Sequence, residues 1–380
     1  MATTAAFRLR ISRGRRISRS MRLLRVVNAM FGARLGGLEQ VFVDYSEVLA
    51  LRGHAIVNFV APGAQSAPAL RALGQQVVEI GNFNQWDPIA DFRLRRALAA
   101  VQADAAIAHG NRAIHLMRRA ARGVAPLIAV NHNVNVKSAV GADFAIAINE
   151  DMRSRLLLAG QPEVRLAKLF NMIRRPSPPP RPAPLRSPPV IGAMGRFVEK
   201  KGFDVFLEGV ARLKAQGRSV RAILAGSGPL EATLKAQAAA LGLTRTVTFP
   251  GWVSGKAAFF EEIDVFAFTS HHDVCPVVLL EAFIWAKPVV LADCPGPREI
   301  SSDGEDSLLF PVGDAAALAE RVGRILDDPT LGPRLGAAAQ AKIWTHHTFE
   351  PAGERLEAIL ARACEERSET RRAYTNRPDS

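Results

Sequence analysis

The sequence predicts an α/β protein of two doubly wound parallel-sheet domains facing each other across a cleft. Three observations carry this. Short apolar runs alternate with longer amphipathic segments, twice along the chain. The two series are separated by sixteen residues, Arg174 to Pro189, of which eight are proline. The length of 380 residues, 48% of them hydrophobic, suffices for two cores of ordinary domain size.

In the first series, "LLRVVNAM", "AIVNFVAP", "VVEI", "AAIAH", "PLIAVNH" and "FAIAIN" have strand length and are apolar. That is the pattern of strands buried on both faces of a parallel sheet. Between them lie helix-like stretches such as "GLEQVFVDYSEVLALRG", with Gly53 as a C-terminal stop. Strand–helix alternation of this kind builds a doubly wound sheet. The stretch "RRPSPPPRPAPLRSPP" cannot be a helix or central strand, because proline fixes φ and removes a backbone donor. It reads as an extended linker. The second series has strand candidates "VIGAMG", "RAILAG", "VTFPG", "DVFAFTS", "PVVLAD" and "SLLFP". Its helix candidates are "GFDVFLEGVARLKAQG", "PLEATLKAQAAALG" and "DAAALAERVGRILDD", and "HHTFEPAGERLEAILARACEE" adds a final amphipathic helix. The boundaries that follow are a basic arm at 1–20, a first domain at 21–172, a linker at 173–189, a second domain at 190–345, a helix at 346–366 and a disordered tail at 367–380.

Composition removes several classes of function. Three cysteines without close pairing exclude a disulfide framework and a zinc site; Cys275, Cys294 and Cys364 read as reduced thiols of a cytosolic protein. No apolar run approaches the roughly 18 residues of a membrane span. The formal charge is +13, but residues 1–38 hold nine arginines and no acid, which leaves +4 for the rest. Three readings fit the basic segment: an arm for anionic lipid or nucleic acid, a targeting peptide, or a start of translation at Met21. The modest charge elsewhere gives no reason to expect a nucleic-acid partner.

Ligands of doubly wound sheets bind beyond the carboxyl ends of the strands, and clefts between domains favour them. Polar residues just after strands are therefore the candidates. "FGARLGGLEQ" places Gly36 and Gly37 at a helix start, where backbone N–H groups can meet an anion; a tight turn explains them equally. "GAMGRFVEKKGFD" sets Gly195, Arg196 and Lys201 on one strand-to-helix loop. A planar fork, a point charge and a helix N-terminus suit a diphosphate; the alternative is a solvated basic loop. In "TSHHDVCPVVLLEAF", Asp273 and Glu281 lie eight apart. Glu281 sits on an apolar helix, where a carboxylate needs a partner, either hydroxyl groups of a ligand or backbone N–H groups. His271 and His272 lack a spaced third ligand, so no metal site is expected. His109 and His132 each end a strand of the first domain. One such histidine is commonly structural; two at consecutive strand ends point to the cleft. "AGSGP", with Gly226, and "FPGWV", with Trp252, are further strand-end loops.

Taken together, the chain resembles glycosyltransferase family 4, retaining transferases of GT-B fold with two Rossmann-like domains, over roughly residues 21 to 363. "GRFVEKKG" is similar to the family's G-R-x-x-x-x-K-G, and "GGLE" to its Gly-Gly-x-Glu. "AGSGP", "FPGW", "DVFAFTS" and "GEDSLLFPVGD" follow in family order. The family's paired acids are Glu-x7-Glu; here the first is Asp273, and Pro276 stands where many members have glycine.

The resemblance implies transfer of a sugar from a nucleotide-diphosphate sugar to an acceptor hydroxyl, with retention, in lipopolysaccharide or exopolysaccharide synthesis. It implies that Arg196 and Lys201 bind the diphosphate, that Glu281 holds the ribose, and that Asp273 and His132 contact the transferred sugar. Backbone at Val277 and Val278 would cradle phosphate, with Gly36, Gly37, Gly195, Gly226 and Trp252 on the donor side and Glu39 and His109 towards the acceptor. No Asp-x-Asp occurs in the chain, so a metal-independent reaction without a cofactor is expected. The expected partners are the nucleotide sugar and a glycan or glycolipid acceptor. The expected setting is a cytoplasmic monomer, with peripheral contact to the inner face of the membrane. Two rivals stand beside this: a non-catalytic binder of nucleotide sugars or anionic polymers, and an epimerase of the same fold.

Overall fold

The computed structural model describes residues 22–32, 36–82, 84, 86–253 and 255–375. The basic arm at 1–20 lies outside the described residues.

The first sheet is formed by β1 (Arg25–Met30), β2 (Ala55–Val60), β3 (Gln76–Glu79), β4 (Ala105–His109), β5 (Leu127–Asn131), β6 (Phe144–Ala147) and β7 (Leu166–Lys168). All pairs are parallel, in the order β3-β2-β1-β4-β5-β6-β7, with β1 and β2 in register from Arg25↔Ala55 to Met30↔Val60. Its crossover helices are α1 (Gly37–Leu51), α2 (Ala67–Ala72), α3 (Pro88–Val101), α4 (Gly110–Ala120) and α5 (Glu150–Leu158). Caps fix where some of them begin: the Asp87 carboxylate accepts from Ile89 N and Ala90 N ahead of α3, and the Asn149 side chain accepts from Met152 N ahead of α5. Most of the apolar runs read as strands are buried along nearly their whole length, because helices cover both faces; the exception is the edge strand β3, which is half-buried to exposed throughout. The strand that sequence reading misses is β7, whose three residues carry too little pattern to read.

The second sheet has the order β10-β9-β8-β11-β12-β13. Its strands are β8 (Val190–Met194), β9 (Arg221–Ala225), β10 (Val247–Thr248), β11 (Val265–Phe268), β12 (Val289–Ala292) and β13 (Leu308–Phe310). Around it lie α6 (Phe203–Ala215), α7 (Glu231–Ala240), α8 (Lys256–Glu262), α9 (Val277–Ile284), α10 (Pro295–Arg298), α11 (Ala315–Asp327) and α12 (Leu331–His346). Separate apolar clusters line its two faces, one around Phe206, Leu213 and Leu335, the other around Phe260, Phe266 and Phe283.

A last helix, α13 (Phe349–Thr375), returns to the first domain. Its Phe349, Ala352, Leu356, Ile359, Leu360 and Ala363 belong to the first domain's core. Glu357 pairs with both Arg52 and His54 at the end of α1. The helix continues past residue 367, where the sequence reading ends it in a disordered tail. The reason is legible: "RSETRRAYT" is polar but holds no proline or glycine, so nothing within it breaks the helix.

The domains touch through two backbone carbonyls and a carboxylate of the second domain. Asn149 Nδ2 donates to the carbonyl of Val274 at 3.0 Å, and Asn171 Nδ2 to that of Cys275 at 2.7 Å. Glu150 N donates to the Glu299 carboxylate at 2.9 Å.

Candidate functional site

Each sheet reverses its strand order once, between β1 and β4 in the first and between β8 and β11 in the second. A crevice opens at such a point because the flanking crossovers leave on opposite faces. The loops after β1, β4 and β5 carry Gly36, Gly37, His109 and His132. Those after β8 and β11 carry Gly195, Arg196, Lys201 and Asp273. Glu281 follows one turn into α9. Most residues picked from sequence thus gather at or beside the two switch points, His132 one strand away after β5 and Gly226 one strand away after β9. Trp252 lies furthest out: its loop follows the edge strand β10, and the residue is 55% exposed.

Glycines hold the second domain's strand-end loops together. Gly202 has φ +59° where α6 begins, and an added Cβ would lie 2.2 Å from the Thr269 carbonyl. Gly226 has φ +141°, and its Cβ would lie 1.9 Å from the carbonyl oxygen of Gly195. Three strand-end loops therefore pack backbone on backbone, which only glycine permits.

Lys201 Nζ lies 2.6 Å from Asp273 Oδ2, and Asp273 Oδ1 accepts from Val274 N at 3.0 Å. Both side chains are largely buried. Arg196 is exposed at the loop's tip, and its field reaches Glu39 on α1 of the other domain. Burial raises the Glu39 pKa, and its own backbone N–H and Arg196 oppose that. The Glu39 carboxylate folds back over its own loop, so a Cβ at Gly32 or Gly36 would meet it at 2.7 or 2.9 Å.

Glu281 is buried on α9. Oε1 meets Lys256 Nζ of α8 at 2.5 Å, while Oε2 has no hydrogen-bond partner among the described residues. Desolvation raises its pKa and Lys256 lowers it. Opposite stands a residue that sequence reading missed, Asp44 of α1. It accepts from Gln40 Nε2 at 2.9 Å and is 5% exposed. Burial lifts its pKa to about 7; the Glu281 charge adds to this, while Gln40, Lys256 and Arg174 oppose it. Arg174 in turn pairs with Glu47, one helical turn from Asp44. The signal was present in "VFVDYSEVL", two acids inside an apolar helical run, the same feature that singled out Glu281.

The Asp44 shift has a measurable sign. Its folded pKa lies above its unfolded value of 3.8, so the folded protein keeps a proton that the unfolded chain releases. Stability is then lost as pH rises from about 4 to about 7, by up to roughly 4 kcal/mol. Asp44→Asn is expected to match wild type in melting temperature near pH 4 and to exceed it at pH 8. An equal difference at both pH values would contradict the assignment.

His109 and His132 form a second buried pair. His109 Nδ1 and His132 Nε2 are 3.1 Å apart, with the rings stacked at 24°. Burial drives the His132 pKa down to about 3 and that of His109 well below its usual value. Both rings are therefore neutral at pH 7, one donating to the other. His109 Nε2 and the Tyr45 hydroxyl are buried without hydrogen-bond partners among the described residues, and the two rings lie 4.7 Å apart, edge to face. Among the described residues, no cluster of three or more His, Cys, Asp or Glu is placed to hold a metal ion.

Comparison with known proteins bears on this arrangement. A family described as Glycosyltransferase Family 4 matches residues 35–159, and one described as Glycosyl transferases group 1 matches residues 188–328. The lipopolysaccharide core biosynthesis glycosyltransferase LpsD of Rhizobium meliloti is 27% identical over 329 residues, 85% of this chain and 94% of LpsD. LpsE of the same organism, bearing the same description, is 37% identical over 147 residues, which span 39% of this chain and 42% of LpsE. Among solved structures, Anabaena HepE in complex with UDP-glucose superimposes with a TM-score of 0.77 at 19% identity, over 89% of this chain and 99% of that one.

Proposed function

The chain belongs to the glycosyltransferases of family 4 and group 1, with the GT-B fold, and from that premise we propose a donor, a mechanism and a setting for it. It moves a sugar from a nucleoside diphosphate to a hydroxyl of a glycan or glycolipid of cell-envelope polysaccharide, with retention at the anomeric carbon. The observation that carries this is the meeting of Arg196, Lys201 and the start of α9 at one switch point, facing the first domain's own switch point. The relatives named for lipopolysaccharide core biosynthesis support the acceptor class.

Arg196, Lys201 and the backbone N–H groups at Val277 and Val278 neutralise the departing diphosphate, which needs no metal ion. In this structure each of the two acids eight apart holds a lysine, Asp273 with Lys201 and Glu281 with Lys256. Donor binding exchanges those partners: phosphate takes Lys201, leaving Asp273 to the sugar hydroxyls, and ribose hydroxyls reach the unpartnered Oε2 of Glu281. Neutral His132, held by His109, offers a hydrogen bond to the sugar without adding charge. In the reaction the bond from the anomeric carbon to the phosphate oxygen breaks and one to the acceptor oxygen forms on the same face. The hydroxyl proton passes to the leaving phosphate. The enzyme acts as a monomer at the cytoplasmic face of the membrane.

Calorimetry with UDP, GDP, ADP and their sugar conjugates, in the presence of a chelator, tests the reading. One diphosphate is expected to bind, and its binding to be lost in Arg196→Ala and Lys201→Ala. A folded protein that binds none of them would falsify it.

A further inference from the structure

The bond between His109 and His132 has two possible senses, and the surroundings of the two rings distinguish them. His109 Nδ1 and His132 Nε2 are 3.1 Å apart while the ring centroids are 5.3 Å apart, so these nitrogens are where the rings meet. Burial keeps both rings neutral at pH 7, and one proton therefore lies between them. A neutral imidazole carries a single proton, so placing that one fixes the two far nitrogens as well. If it belongs to His109 Nδ1, then His109 Nε2 is bare and His132 carries its own proton on Nδ1. If it belongs to His132 Nε2, then His109 Nε2 bears a proton and His132 Nδ1 is bare.

The far nitrogen of His109 decides between them. His109 is 2% exposed, and its Nε2 is buried without a hydrogen-bond partner among the described residues. A proton there would be a buried donor with nothing to receive it, whereas a bare Nε2 is only an unmet acceptor. Unmet buried donors are the rarer fault in folded proteins. Rotating the His109 ring gives no escape. A half-turn would set a carbon against His132 Nε2, and the rings of Phe42 and Tyr45 on α1 hold His109 edge to face at 5.7 and 4.7 Å. His132 is placed differently. It is half-buried just beyond β5, and its Nδ1 is neither closed off nor partnered among the described residues.

We propose that His109 is a positioning residue: its Nδ1–H, donated to His132 Nε2, fixes His132 in the Nδ1–H tautomer, so that His132 presents a donor to a ligand in the cleft. The inference rests on the transferase reading for its consequence. The sugar oxygen that meets His132 then acts as an acceptor. A ring with its proton already on the cleft side takes none there from water or from an acceptor hydroxyl, so His132 serves as a fixed donor and not as a general base. A sugar lacking that oxygen would leave the N–H unmet and bind less well.

The full-length protein is labelled with 15N-histidine, and long-range proton–nitrogen correlations are recorded at pH 7, with His132→Gln identifying the His132 signals. A protonated and a bare ring nitrogen resonate far apart. His132 is expected to show a protonated Nδ1 and a bare Nε2, and His109 the same. A protonated Nε2 in His132 overturns the proposal on wild-type protein alone, whether or not any variant folds. In His109→Leu the donor is gone, and the two His132 nitrogen signals are expected to move towards each other as the tautomers mix. An unchanged tautomer there would show that His109 does not set it. Calorimetry on the same variant compares UDP, GDP and ADP with UDP-glucose, GDP-mannose and ADP-glucose. The gain in affinity that the hexose brings is expected to fall roughly three- to tenfold, with affinity for the free diphosphate unchanged. Equal loss of both would make His109 a general support of the fold and overturn its positioning role. Failure of wild type to bind any diphosphate would sink the transferase reading, and the tautomer assignment would still stand or fall by the nitrogen signals.

Discussion

Arg196→Ala is expected to lower kcat/KM by roughly 10²–10³ while leaving the melting temperature unchanged. The two halves of that result have separate causes. Arg196 is exposed at the tip of its loop, so its loss exposes no buried partner and disturbs no core. Its charge is felt at Glu39 of the other domain, and the proposed departing diphosphate gains one negative charge as its bond to the sugar breaks. A donor that acts only as charge builds up is worth far more there than in water. Arg196→Lys should recover part of the rate, because a point charge replaces the fork but not its two parallel hydrogen bonds. Steady-state kinetics and a thermal melt on the same preparations decide it. A fall in rate that tracks a fall in stability would remove Arg196 from the reaction.

Lys201→Ala should behave differently, because Lys201, proposed to bind the donor, also serves the fold. Its ammonium group is 2.6 Å from Asp273, and both are mostly withdrawn from water. Removing the cation leaves a buried carboxylate uncompensated, at a cost of roughly 3 kcal/mol. The variant is therefore expected to lose both stability and activity, the latter by about 10³. Adding Asp273→Asn removes the orphaned charge, and the double variant should regain most of the stability and none of the turnover. If the double variant instead recovered activity, Lys201 would be a structural counter-ion only.

Much of this arrangement is legible in the sequence, for a physical reason. Parallel strands covered on both faces must be apolar throughout, so runs such as "AAIAH" and "PVVLAD" announce themselves without neighbours. Charged residues at the ends of such runs have nowhere to go but the cleft, which is why Arg196, Lys201 and Asp273 could be named. Lys256 and Arg174 could not, because their meaning lies in reaching Glu281 and Glu47 across elements distant in the chain, whereas Asp44 carries in its apolar helical run the same signal as Glu281. The pairing of Lys201 with Asp273 is hidden for the same reason, since 72 residues separate them. The end of α13 fails on another ground: a polar, proline-free segment looks alike whether helical or not until packing upstream has fixed the helix.

Asn149 and Asn171 have a mechanical consequence. Each belongs to the first domain, and each bonds to a main-chain oxygen, at Val274 and Cys275, immediately beyond Asp273. A rotation of one domain that keeps these bonds must turn about them. The fulcrum then lies within two residues of Asp273, the acid proposed to face the sugar, and displacement grows with distance from it. Asp273 stays nearly still through such a swing, while residues far from that fulcrum travel the longest arc. The cleft can open and shut with the proposed hydroxyl contact of Asp273 left in place.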